Sequence, residues 1–212
     1  MKDALRAGAV AVLALVAIEG RAQASPIIFN DVARQDFLSV RGAGSSPLAD
    51  ITVSAATNID QIGAYNDLTS DGNLKFVIFD LDSHALLFQS GPQAFVDNGL
   101  SFKLSSPFAP FTLLPGINYG IGAVADVAGN WGTNNTSAGN PFTQNGITAS
   151  DDRNGNVTSF ASPALGGDGS AMIIIELAGA PAATTVPEPG TLLLLGSAAA
   201  CTRLRRRFRT PA

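Results

Sequence analysis

Between Ser25 and Val186 the apolar residues recur with a period of two in short runs, and Gly, Asn, Asp and Pro separate those runs. Such alternation turns one face of each run to a core and the other to solvent; no stretch here has the 3.6-residue spacing of an amphipathic helix. The pattern predicts strands at Asp36–Arg41, Ile51–Ala55, Ile59–Tyr65, Leu74–Leu81, Ala85–Gln89, Leu100–Leu104, Phe111–Leu114, Tyr119–Ala125, Ile147–Ser150, Val157–Phe160 and Ala171–Leu177. Asp82-Ser83-His84 reads as the turn of a hairpin joining KFVIFDL to ALLFQ. Alternation along two of these runs should place Phe76, Ile78, Tyr119, Ile121 and Ala123 in one core. Short strands at regular spacing with turn residues between them give an all-β chain, a β-sandwich or jelly roll over residues 25–177.

The two ends break the pattern. Lys2 and Arg6 precede an apolar run from Ala7 to Ile18, and Ala22-Gln23-Ala24 offers small residues for cleavage between Ala24 and Ser25. These are the three parts of a secretory signal peptide spanning residues 1–24, which makes the Sec machinery and signal peptidase partners. At the other end Ala178 to Thr185 reads as an Ala-rich linker. Then come Val186, Pro187, Glu188 and Pro189, an apolar segment from Thr191 to Thr202, and an arginine cluster of Arg203, Arg205, Arg206 and Arg207. Two prolines keep the motif extended, and the arginines act as a stop-transfer signal on the cytoplasmic side. Twelve residues make about 18 Å of helix against a hydrocarbon core of about 30 Å, so this transmembrane helix is short.

Residues 186–212 resemble the PEP-CTERM sorting signal of Gram-negative bacteria in the order of motif, apolar segment and basic tail. The resemblance implies export, a transient inner-membrane anchor, and recognition of Pro187, Glu188 and Pro189 by exosortase, a membrane-embedded cysteine protease. It also implies delivery to the cell surface or the extracellular polysaccharide matrix. The same tail module stands behind ice-binding proteins and is named after them, but Thr133, Thr136, Thr143 and Thr148 lack the regular period an ice-binding array would want.

Charge narrows the partners. The chain has a net charge of −4, with charged residues at 14% against roughly 25% in an average globular protein. Both ends are basic, so the stretch from Ser25 to Val186 holds five basic against fourteen acidic residues, a net of −9. An acidic domain repels phosphate backbones, which argues against nucleic acid as a partner. A single cysteine, Cys201, excludes a disulfide scaffold.

Candidate chemistry in the middle is sparse. The order IDQIGAY, KFVIFD, ALLFQS, FTLLPGINYGIGAVAD resembles bacterial carbohydrate-binding-module-like surface sandwiches, in which Leu114, Pro115, Gly116 and Tyr119 lead into a central strand. Asp151, Asp152, Asn154 and Asn156 are oxygen donors at alternating spacing, of the kind that hold Ca²⁺, with turn-capping as the alternative role. Trp131, in the segment Gly129 to Asn145 read as a long loop, is either a platform for a sugar ring or a buried anchor. His84 is the sole histidine, and its neighbours Asp82 and Ser83 cannot converge on it as a triad. Asp80 and Asp82 read as turn-capping rather than as a glycosidase pair. Gly120, Gly122 and Ala125 match a dinucleotide fingerprint in letters but fall inside a predicted strand. No catalytic or cofactor residue is therefore assigned. The reading is a non-enzymatic exported sandwich in contact with extracellular polysaccharide, with a secreted polysaccharide hydrolase as the alternative.

Overall fold

The computed structural model describes residues 25–134, 141–150, 155–166 and 172–179. In chain order its strands begin β1 (Ile27–Asn30), β2 (Phe37–Arg41), β3 (Ser45–Pro47), β4 (Ala49–Val53), β5 (Thr57–Ile59) and β6 (Gln61–Leu68). They continue β7 (Gly72–Asp80), β8 (Leu86–Gln89), β9 (Gln93–Phe95), β10 (Ser101–Leu104), β11 (Phe111–Leu113), β12 (Tyr119–Ala125) and β13 (Gly129–Asn134). Last come β14 (Phe142–Gln144), β15 (Ile147–Ser150), β16 (Asn156–Thr158), β17 (Ala164–Gly166), β18 (Met172–Ile173) and β19 (Ile175–Ala178). Among the described residues the one helical piece is a single 3-10 turn, Val32–Arg34. None of these residues forms a helix long and apolar enough to cross a membrane.

The protein is an all-β sandwich. Sheet I runs β1-β19-β6-β13-β18, with β10 on the far side of β6 and β2 on the far side of β13. Sheet II runs β14-β15-β4-β12-β7-β8, with β9 continuing the β8 edge along β7. The core lies between them, where Phe29, Ile62, Ala64, Leu68, Trp131, Ile175 and Leu177 of sheet I meet Ile51, Leu74, Phe76, Ile78, Tyr119, Ile121 and Ala123 of sheet II. The five residues expected to share a core do so.

Sheet II is covered on its second face as well. β3, β16 and β17 form a small sheet. It closes an outer cluster of Leu48, Val77, Phe79, Val124 and Val157, with Phe160 and Leu165 packed against it. Lys75 clips this layer down: its ammonium donates to the Ala161 carbonyl at 3.1 Å and lies 4.9 Å from the centre of the Phe160 ring. The glycines of the apparent dinucleotide fingerprint belong to this packing. A Cβ at Gly120 would lie 2.7 Å from Leu81 Cδ2, and one at Gly122 would lie 3.1 Å from Leu48 Cδ2. Bare backbone on β12 is what lets the third layer approach.

Several sequence readings shift in detail. Tyr119–Ala125 and Ile147–Ser150 are strands over their full predicted length, and the β7–β8 hairpin turns at Asp82–His84 as expected. Ile59–Tyr65 is two strands, because the chain changes partners at Asp60: β5 pairs β11, while β6 pairs β10 and β19. The expected loop from Gly129 instead begins as β13, between β2 and β6. Its later part contains a hairpin turning at Asn145-Gly146, both at positive φ (52° and 77°). The final strand reaches Ala178, one residue into the expected linker.

One buried polar cluster holds the entry to sheet I. Asp31 accepts the Ile175 amide at 2.9 Å and pairs with Arg34 at 3.5 Å, and Arg34 lies over the Phe142 ring. Burial costs the carboxylate more than Arg34 and the amide return, so the Asp31 carboxyl is pushed up from its ordinary 3.8 to about 7.

Two outcomes follow for stability. A carboxyl with a raised pKa in the folded state favours folding most below its unfolded value. Its contribution is lost as pH rises from about 4 to about 7. Asp31→Asn should therefore flatten the decline in melting temperature over that range. Phe79→Ala, on what would be the solvent face of a two-layer sandwich, should cost about 3–5 kcal/mol in denaturant unfolding, as a core phenylalanine does.

Candidate functional site

With one face of sheet II roofed over, the surface left open is the outer face of sheet I. Strand alternation sends Ile62, Ala64, Asn66 and Leu68 of β6 inward and Gln61, Gly63, Tyr65 and Asp67 outward. Register places Phe102 beside Tyr65 and Leu104 beside Gly63 on one flank. On β13, Leu38 faces Gly132 and Val40 faces Asn130. The Tyr65 and Phe102 rings pair at 4.9 Å between centres.

Small residues keep these rings low. A Cβ on Gly132 would stand 2.5 Å from Tyr65 Cδ1, and one on Gly63 would stand 2.7 Å from Leu104 Cδ2. The result is an apolar stripe of Leu38, Val40, Tyr65, Phe102 and Leu104, with Val40 78% exposed. Amides and carboxylates flank it. Asn130 donates to Asp67 at 3.4 Å, Asn30 donates to Glu176 at 2.7 Å, and Glu176 pairs with Gly63. Arg41 and Lys103 lie on the opposite side of their strands, so the stripe is neutral to acidic.

Trp131 is not part of this face. It is 1% exposed, at the centre of the core beneath β13. The anchor role is the one the fold uses, and a sugar ring has no access to it.

The other candidates fall into place as turn chemistry. Asp80 accepts the amides of Asp82 and Ser83 and the Ser83 hydroxyl, and Asp82 accepts from Asn118. His84 is exposed at the end of this turn, at φ 60°. Leu114 donates its amide to the Tyr119 hydroxyl at 2.8 Å, so the Leu-x-Pro-Gly-x-x-Tyr run closes a turn onto a buried strand. A depression of about 320 Å³ beside β7 and β9 is lined by Asp71, Asn73, Phe95 and Val96. Its carboxylates are engaged: Asp71 accepts the Asp97 amide, and nearby Asp126 takes both the backbone and side-chain N–H of Asn73. Among the described residues no three His, Cys, Asp or Glu side chains converge as metal ligands. Of the calcium candidates, Asn156 opens β16 opposite Pro47 and Gly166, while Asp151, Asp152 and Asn154 lie outside the described residues.

Ala24, Val186, Pro187, Glu188, Pro189, the apolar segment with Cys201, and Arg203 to Arg207 also lie outside the described residues. Ser25 lies inside them, at the start of the sandwich. The sorting tail is nonetheless settled by comparison. A family model of the PEP-CTERM protein-sorting motif matches residues 185–207. The chain carries a PEP-CTERM sorting signal. That signal indicates an exosortase-sorted protein of the cell surface or exterior, processed by a membrane protease-like sorting enzyme. No curated protein matches the chain.

Among the described residues, the ones singled out in the middle of the chain meet only within local turns, Asp80 with Asp82 and Leu114 with Tyr119. The stripe that the structure does expose was hidden in the sequence. Tyr65, Phe102 and Leu104 look like ordinary core positions until register shows which face they share. The signal that was available is the pairing of large residues on one strand with Gly63 and Gly132 on its neighbours.

Proposed function

We propose that this is a non-enzymatic matrix or surface protein whose sandwich contacts a neutral glycan through the Tyr65–Phe102 stripe, while its PEP-CTERM tail directs it to the exterior. The observation that carries this reading is an aromatic pair, its rings tilted 50° to each other, on the outer face of sheet I and bordered by amides and carboxylates. Aromatic rings stack on the apolar faces of pyranoses, and polar groups at the border take hydroxyls. The acidity of the face and the position of its cations on the other side favour an uncharged polysaccharide over an anionic one.

Affinity electrophoresis of the released protein through gels cast with neutral polysaccharides tests this. Tyr65→Ala and Phe102→Ala should each weaken retardation about tenfold or more, the scale of losing a central aromatic contact, without changing the melting curve by a comparable amount. Equal retardation of the variants and the wild type would remove the stripe as the contact. Concentration-dependent dimers abolished by the same substitutions would assign the face to a second copy instead.

The tail makes a separate prediction. Pro187 and Pro189 lack the backbone N–H that a sheet ladder or a helix interior needs, which suits Glu188 to recognition on an extended segment. The released protein should lack everything after a cut close to Pro189. Glu188→Ala should leave uncut protein in the membrane, and deletion of Arg203 to Arg209 should let the chain slip through. Intact-mass measurement decides the matter, since a released species extending through Ala212 would reject processing.

A further inference from the structure

We propose that the sandwich contains a built site for the chain's own new N-terminus: the α-ammonium of Ser25, freed by signal removal, is the ligand of the buried carboxylate of Asp60. The inference rests on cleavage between Ala24 and Ser25 and is independent of the glycan reading.

Asp60 stands where the chain leaves β5 for β6, and it is 8% exposed. Its Oδ2 accepts the Ser25 hydroxyl at 2.6 Å across 35 residues of sequence. Its Oδ1 is buried with no hydrogen-bond partner, and among the described residues no cation lies within ion-pair distance of it. A buried carboxylate oxygen left without a donor is costly, and a charged donor repays the most. The Ser25 nitrogen is three bonds from the hydroxyl that already touches this carboxylate.

Hydrolysis of the Ala24–Ser25 amide adds water across the bond. Ala24 leaves with the signal as a carboxylate, and Ser25 keeps an amine that takes up a proton at neutral pH, its ordinary pKa being about 8. Before the cut, the same nitrogen is a neutral amide that carries the signal.

The site is tied to the root of the tail. Asp60 donates its amide to the Ala178 carbonyl at 3.1 Å, and its own carbonyl accepts the Phe108 amide at 2.8 Å. Gly179 donates to the Pro26 carbonyl at 3.0 Å, and Ile27 pairs with Ala178. Removing the N-terminal signal therefore tightens the strand from which the PEP-CTERM tail departs.

The test uses the full chain, exported and purified after release, with its first residue read by N-terminal sequencing. One variant inserts Gly-Thr between Ala24 and Ser25, which keeps the cleavage residues and displaces the amine by two positions. The insertion should lower the melting temperature by about 3–6 °C and speed amide exchange at Phe29 and Ala178. Ser25→Ala, which retains the amine, should lose less than half as much. In the Asp60→Asn variant the insertion should be silent. An insertion that changes neither melting nor exchange would overturn the proposal, as would one that costs as much in Asp60→Asn. A released protein that begins at another residue would overturn it too, and sequencing separates that failure from a failure of the contact. If Asp60→Asn does not fold, the insertion and Ser25→Ala still decide the question with Asp60 intact.

Discussion

Sheet I depends on how its last strand is seated. β6 and β13 pair directly only where Asn66 to Leu68 face Gly129 to Trp131. Beyond that they diverge, and the segment from Met172 to Ala178 fills the gap, β18 against β13 and β19 against β6. At the join, Ile174 donates to the Gly132 carbonyl and accepts the Tyr65 amide. Every residue of this segment is buried, so each backbone polar group in it needs a partner inside the protein. β1 supplies the remaining edge, and Asp31 meets the Ile175 amide where the ladder is interrupted. Without this segment, β1 would have no strand to pair with and β6 would lose one of its three partner strands.

Much of the sandwich was legible because its signals are local. Alternation in YGIGAVA and the turn residues DSH name a strand and a hairpin without help from the rest of the chain. What was missed depends on contacts far apart in sequence. GNWGTN has two glycines and no alternation of large side chains, and it reads as loop; it is a central strand because Trp131 needs the core and β2 and β6 supply partners on both sides. Alternation along Leu74–Leu81 accounts for Phe76 and Ile78 in the core and leaves Val77 and Phe79 on the face it assigns to solvent. Only the small sheet of β3, β16 and β17 explains why both faces of β7 are apolar. The tail was legible for the opposite reason: its order of motif, apolar run and arginines is a linear address that needs no fold.

The two faces of the molecule differ in kind. Sheet II is roofed by a layer held with a lysine clip and with glycines that admit it, while sheet I presents rings over glycines to the exterior. An identical device, a residue without a side chain beneath a large neighbour, serves burial on one side and an exposed apolar stripe on the other. Nothing in the composition separates the two uses; the difference is made by whether a third layer crosses the sheet.

The pairing of Ile175 with Ala64 and of Ala178 with Gln61 joins strands more than a hundred residues apart. Contacts of such long range form late, because the loop between them must close first. For an exported chain this sets an order in time. Sheet I cannot close until nearly the whole of the sandwich has crossed the membrane, and the strand that closes it is followed, after only six residues, by the segment that the PEP-CTERM model matches. Those residues reach about 20 Å when fully extended. The closing strand is therefore the last part of the sandwich to be exported, and the sorting signal follows directly behind it.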